Sequence, residues 1–272
     1  MLESIIANQQ LSPLLIRKSS TTKLEFYKSK VIGGYNAMNT SELKGYLTGL
    51  IIGDGHICKG VNKRAFKIKS INKDFIDKIK EDIDSCNTFN TYVKHTDAYT
   101  DKNNVHHKEY WELSISAHPY FSKKYHNFYD DYKNRIVTKN AMNWLTPNGL
   151  ANWYMSDGYV CLVGLKNGYI KNRRIEICTD RYNYDDIKMM CDKLYKNFGM
   201  EFHIIKRGNA YRIRLQSKDY INFINLIKPY IVPSMMYKLY LGYEKQPKWM
   251  SDTDWEFQNS ISAIALAGRA VG

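Results

Sequence analysis

An α+β fold built from two pseudo-symmetric repeats is predicted by three features of this 272-residue chain. Two short apolar segments, 47–55 and 150–158, resemble each other and both end in Asp-Gly, with Asp54 and Asp157 lying 103 positions apart. After each segment the hydrophobic pattern alternates with period two, switches to helical spacing and then does both again, so each half reads α-ββ-α-ββ-α. In and just before the first segment Gly45, Gly49 and Gly53 recur every four residues and share one helix face. Interior glycines cost roughly 1 kcal/mol each in a helix, and close approach of a second helix backbone would offset that cost.

The elements follow in order. Residues 1–38 form an N-terminal extension broken by Ser19-Ser20-Thr21-Thr22 and Gly33-Gly34, with Arg17, Lys18, Lys23, Lys28 and Lys30 open to a polyanion. The first repeat is assigned to 39–145. Asn39 or Thr40 can cap its motif helix, and Glu42, three residues after Asn39, completes a capping box. Residues 56–70 alternate, with Phe66 and Ile68 on one side and Lys63, Lys67 and Lys69 on the other. A helix over 73–84 turns Phe75, Ile76, Ile79 and Ile83 inward. A hairpin over 88–95 and 105–116 buries Trp111, Leu113 and Ile115, and a helix over 119–132 closes the unit.

The second repeat is assigned to 146–240. Thr146-Pro147 supplies an N-cap and a proline at the first helical position. Asn148, Asn152 and Ser156 make the small polar stripe that should face the glycines. A hairpin over 159–179 with Asn167-Gly168 near its tip precedes a helix over 184–198 stopped by Gly199. Residues 201–216 turn at Arg207-Gly208-Asn209, alternating Tyr211, Ile213 and Leu215 with Arg212, Arg214 and Gln216, and a helix over 218–228 follows. Residues 241–272 are a tail whose small, apolar end, 260–272, reads as disordered.

Lysine plus arginine outnumber acids 40 to 27, giving a net charge of +13 and a pI near 9.3. That surplus points to a polyanionic partner, nucleic acid first. Cys58, Cys86, Cys161, Cys178 and Cys191 are odd in number and contain no Cys-x-x-Cys, as expected of reduced thiols in an intracellular compartment. The seven histidines show no zinc-ligand spacing. No apolar stretch reaches membrane-spanning length and no secretory pattern opens the chain, so an organellar matrix or microbial cytoplasm is expected.

A duplicated helix tipped with an acid brings two carboxylates to a two-fold seam, where they can hold divalent metal over a phosphodiester. An Asp at a helix C-terminus opposes the macrodipole, a cost that a purely structural residue has no reason to carry twice. Both segments resemble the motif that names the LAGLIDADG homing endonucleases. The first matches at Leu47, Gly49, Leu50, Ile51, Asp54 and Gly55, and departs at Thr48, Ile52 and Gly53. The second matches at Leu150, Ala151, Asp157 and Gly158, with Asn-Trp-Tyr-Met replacing the middle before Ser156.

The resemblance covers roughly residues 41–240. It implies repeats packed through the motif helices, with two antiparallel sheets forming a DNA-binding saddle. By the same resemblance Asp54 and Asp157 are catalytic and ligate Mg2+, with the carbonyls of Gly53 and Ser156 as further ligands. Lys238, in the run from Pro229 to Leu239, falls on the family's pocket lysine. In the first repeat Arg135 takes that place, with Lys133 and Lys139 as rivals. Lys63, Lys67, Lys69, Arg173, Arg174, Arg212 and Arg214 would face DNA from polar sheet faces or hairpin tips. The implied function is a monomeric, site-specific, double-strand DNA endonuclease with a long non-palindromic target and short 3′ overhangs. Such proteins are encoded within introns or inteins, and the lack of visible splicing residues favours an intron or free-standing origin. The alternative is an intron RNA maturase, with intron RNA as partner, or a DNA-binding module of the same fold, with or without nuclease activity.

Overall fold

The computed structural model describes residues 38–59, 63–166, 169–243 and 245–269. The basic N-terminal extension and the Asn167-Gly168 tip lie outside the described residues.

Helix α1 (Thr40–Ile52) starts where Asn39 Oδ1 accepts the Ser41 and Glu42 amides, both at 3.0 Å. Glu42 returns an oxygen to the Asn39 amide at 3.1 Å, completing the expected box. The chain continues through β1 (His56–Lys59), β2 (Arg64–Ser70), α2 (Lys73–Asp84) and β3 (Thr91–Thr96). A two-stranded ribbon, β4 (Tyr99–Thr100) with β5 (His106–His107), extends the next hairpin before β6 (Tyr110–Ile115). Two short helices, α3 (Pro119–Lys124) and α4 (Lys139–Trp144), lead to the second motif helix, α5 (Pro147–Asp157). Thr146 Oγ1 caps α5 by accepting the Gly149 amide at 3.1 Å.

Then come β7 (Gly158–Lys166), β8 (Tyr169–Cys178), α6 (Tyr184–Phe198), β9 (Phe202–Arg207), β10 (Ala210–Leu215), α7 (Tyr220–Ile227) and α8 (Asp252–Arg269). The two antiparallel sheets run β1-β2-β6-β3 and β7-β8-β10-β9, the same connectivity used twice. In the first, Phe66, Ile68, Leu113 and Ile115 are buried with Phe75, Ile76, Ile79 and Ile83 of α2. In the second, Ile175, Ile177, Ile213 and Leu215 are buried with Ile187, Met190 and Leu194 of α6. Period-two alternation sends Lys67, Lys69 and Glu112, and likewise Arg174, Glu176, Arg212 and Arg214, to the opposite faces.

The glycines explain the seam. A methyl group on Gly49 would overlap the Gly149 backbone, and one on Gly149 would overlap the Gly45 carbonyl. A Cβ on Gly53 would come within 2.8 Å of the Ser156 side chain. The motif helices therefore touch backbone to backbone. Gly149, rather than the expected Asn148, supplies the central contact, and Asn152 is fully buried. Gly53 and Gly158 do not end their helices by left-handed geometry, since φ is −76° and −87°. Gly158 is needed because its neighbour is the Tyr154 ring. Gly199, at φ 72°, does adopt the left-handed stop expected of it.

Three expectations are corrected. The helix over 119–132 ends as α at Lys124, because Asp130 takes the Asn134 amide at 2.7 Å and its side-chain amide at 2.9 Å, holding a tight turn with Lys133 at φ 69°. Such local side-chain bonds compete with helix continuation. The helix over 218–228 begins as a 3-10 turn, Ser217–Asp219, where Asp219 is committed to the Glu201 amide at 2.9 Å. The tail is helical from Asp252 to Arg269, and its buried Gln258 bonds the backbone at Leu239 and Leu241.

Candidate active site at the motif-helix ends

Each motif helix delivers its acid one residue beyond a close seam contact, Gly53 against Ser156. Asp54 and Asp157 thus end side by side. Burial pushes the Asp157 carboxyl up to about 7, and the Asp54 charge adds to that push. Arg181, Lys238 and Arg135 act the other way. Crowded acids ringed by three cations are a charge arrangement rather than a packing one.

A basic side chain caps the end of each motif helix. Lys238 Nζ donates to the Met155 carbonyl at 2.5 Å, and its own carbonyl accepts the Tyr154 hydroxyl at 2.7 Å. Burial lowers the Lys238 pKa, with Asp157 and Asp54 opposing that effect. In the first half Arg135 donates to the carbonyls of Ile51 and Gly55, the latter at 2.5 Å. Both cations therefore sit on the negative end of a helix dipole. Of the rivals, Lys133 lies in the exposed turn and Lys139 opens α4, also exposed. A cavity of about 590 Å³ opens beside the acids, lined among others by Asp54, Lys69, Tyr110, Ser156, Tyr237 and Lys238.

Arg181 was not foreseen. It leaves the loop after β8, crosses the seam and donates to Asp54 Oδ1 at 2.9 Å and to the Gly53 carbonyl at 3.4 Å. Its neighbour Tyr182, buried, donates to the Ile52 carbonyl at 2.9 Å. Gln258 is the other unforeseen group: it donates to the Leu239 carbonyl at 3.1 Å and accepts the Leu241 amide at 2.7 Å, pinning the backbone beside Lys238.

The groups expected to face DNA divide. Lys67 and Lys69 both pair with Glu112, at 2.7 and 3.3 Å. Arg214 pairs with Glu176 at 2.9 Å and Arg212 with Asp180 at 2.7 Å. Lys63 is exposed just before β2, and Arg174 lies on the same face as Glu176. Arg173 departs from expectation. It shares the Ile175 face of β8, donates to the Gly242 carbonyl at 2.8 Å and lies over the Tyr243 ring. Adjacent strand residues cannot share a face, so Arg173 and Arg174 had to separate.

The profile of the LAGLIDADG DNA endonuclease family matches residues 44–223. The chain belongs to that family. Over 197 residues it is 29% identical to the probable intron-encoded endonuclease 1 of Wickerhamomyces canadensis, covering 71% of this chain and 81% of the relative. It is 31% identical over 136 residues to the probable intron-encoded DNA endonuclease 3 of Mycosarcoma maydis, covering 48% and 93%. The fold matches the homing endonuclease I-WcaI, solved bound to its DNA recognition sequence, with a TM-score of 0.62 at 22% identity, over 85% of this chain and 97% of that one. The two LAGLIDADG segments are thus the paired helices of the seam. Among the described residues no helix is long and apolar enough to cross a membrane.

Proposed function

We propose that the chain is a site-specific DNA endonuclease that breaks both strands of a long, non-palindromic target and leaves short 3′ overhangs. The observation that carries this reading is the meeting of Asp54 and Asp157 at the ends of two helices in backbone contact, each helix end held by its own basic side chain. Two matched acids on a pseudo-two-fold seam suit two strands. The names of the relatives, intron-encoded endonucleases, support the nuclease part of this reading.

The donors fit a hard divalent cation. Burial, with the Asp54 charge adding to it, raises the Asp157 pKa to about 7, and the Gly53 and Ser156 carbonyls immediately precede the two acids. Asp54, Asp157 and those carbonyls would hold divalent metal, Mg2+ by expectation, which would supply phosphate charge neutralisation and activation of water. Lys238, with its lowered pKa, is suited to holding or giving a proton at the phosphate. Arg135 stays charged and is restricted to stabilising negative charge. The outer faces carrying Lys67, Lys69, Arg174, Arg212 and Arg214, with Lys63 at the rim, would lie along the major groove, which admits a two-stranded ribbon. Residues 39–145 and 146–240 would each read half of the target. Retention of both acids argues against a purely non-catalytic member of the fold, while maturase activity beside the nuclease remains the second reading.

Incubating the protein with a randomised duplex library and Mg2+, then sequencing cut ends, tests the proposal. A single enriched long site with offset cuts on the two strands is expected. Absence of any enriched cut, or equal cutting by Asp54→Asn and Asp157→Asn proteins, overturns it.

A further inference from the structure

The two acids occupy unlike settings. Asn72 and Asn183 cap equivalent helices, so the residue two positions before each cap occupies an equivalent place: Ser70 in one half, Arg181 in the other. Ser70 Oγ accepts the Asn72 amide at 3.0 Å, and Asn72 bonds Ser234 at 3.0 Å, so this loop sends no cation to Asp157. Arg181 instead spans both oxygens read as metal ligands of the first motif helix, the Asp54 carboxylate at 2.9 Å and the Gly53 carbonyl at 3.4 Å. Lys238 and Arg135, the other cations near the acids, spend their hydrogen bonds on backbone carbonyls. The Arg181 and Asp54 side chains are 48% and 40% exposed, so their pair can open without disturbing the core.

We propose that Arg181 is a resident counter-ion that competes with divalent cations for Asp54 and the Gly53 carbonyl, so that the two motif-helix ends load metal unequally. The inference rests on the nuclease reading only for the identity of the ligand oxygens. Arg181 acts through Asp54 and is a positioning residue. An exposed ion pair is weak, so its removal should raise cation affinity by a modest factor, roughly fivefold.

The test is calorimetric titration of Mn2+ into the DNA-free protein, comparing parent, Arg181→Met, Arg181→Gln and Arg181→Lys. Folding of each is checked by its melting temperature. The Met and Gln proteins should bind Mn2+ about fivefold more tightly, Arg181→Lys should revert toward the parent, and adding Asp54→Asn should abolish the gain. Unchanged Mn2+ affinity in a folded Met or Gln protein overturns the proposal, as does a gain that survives Asp54→Asn. The library experiment separates the two readings: a parent that cuts no site while Arg181→Met gains affinity removes the nuclease and keeps the counter-ion. A parent that cuts its site while Arg181→Met gains nothing does the reverse.

Discussion

The first and second sheets share a strand order but place the acid that gathers their basic side chains on different strands. In the first half Glu112 sits on β6 and is gripped by Lys67 and Lys69 of β2. In the second half Glu176 sits on β8 and is gripped by Tyr159 of β7 at 2.5 Å, Arg207 of β9 at 3.3 Å and Arg214 of β10 at 2.9 Å. Glu176 is fully enclosed, whereas Glu112 keeps 14% of its side-chain exposure. Lysine is a mobile point charge and arginine a planar fork, so the second face is held in one geometry and the first is free to adjust. One connectivity has thus been filled with two chemistries, as expected if the halves meet different sequences.

The largest expected effects fall on what the halves share. Asp54→Asn and Asp157→Asn should each reduce double-strand cleavage by orders of magnitude, because losing an acid removes cation binding and water activation together. Plasmid relaxation distinguishes a nick, which gives open circles, from a double break, which gives linear product. If both proteins still linearise a target plasmid at the parental rate, the acids are structural. Next in size is the seam. Gly49→Ala would drive a methyl group into the Gly149 backbone, which cannot rotate away, and should cost about 3 kcal/mol or more. A melting temperature within a degree or two of the parent would mean that the helices are not in contact.

The contrast between the sheets is sharpened by a smaller pair of substitutions. Glu176→Gln should cost roughly 1–3 kcal/mol, because an enclosed acid with three donors is replaced by a neutral amide that cannot satisfy them all. Glu112→Gln, part-exposed and held by two lysines, should cost under about 1 kcal/mol. Urea denaturation of both measures the difference. Equal losses would show that the enclosure of Glu176 has no energetic consequence.

Much of this was legible because its causes are local. Asn39 and Glu42 stand three apart, Thr146 precedes Pro147, and the Phe66–Ile68 and Ile213–Leu215 alternations need only neighbouring residues. The glycine spacing announced a helix contact, though not that Gly149 would be its partner. The place of Arg135 in its run favours it over Lys133, but the physical reason, Asp130 holding Lys133 in an exposed turn, shows only in the fold. Arg181 meets Asp54 across 127 residues, and Glu176 gathers donors 17, 31 and 38 positions away. Pairs at such separations leave no periodicity or motif behind. Arg173 was a failure of a different kind, since period two places it opposite Arg174 and could have been applied from the start.

The smallest effect concerns the two acids without metal. The Asp157 carboxyl is raised to about 7 by burial and by Asp54, well above the value near 4 expected in an unfolded chain. Between those values the folded protein holds a proton at Asp157 that the unfolded chain has released, so stability from this group falls as pH rises from 4 to 7. The penalty is absent at pH 4 and complete above 7. Asp157 remains partly solvated, so the change should be on the order of 1 kcal/mol. In EDTA, Asp157→Asn should therefore match the parent at pH 4 and exceed it at pH 8. Asp54→Asn should show no such gain, because it breaks the pair with Arg181. Denaturation midpoints of the three proteins at pH 4, 6 and 8 decide the matter. A parallel pH response of parent and Asp157→Asn would mean that the helix ends do not crowd their acids, and the two-site comparison would lose its electrostatic basis.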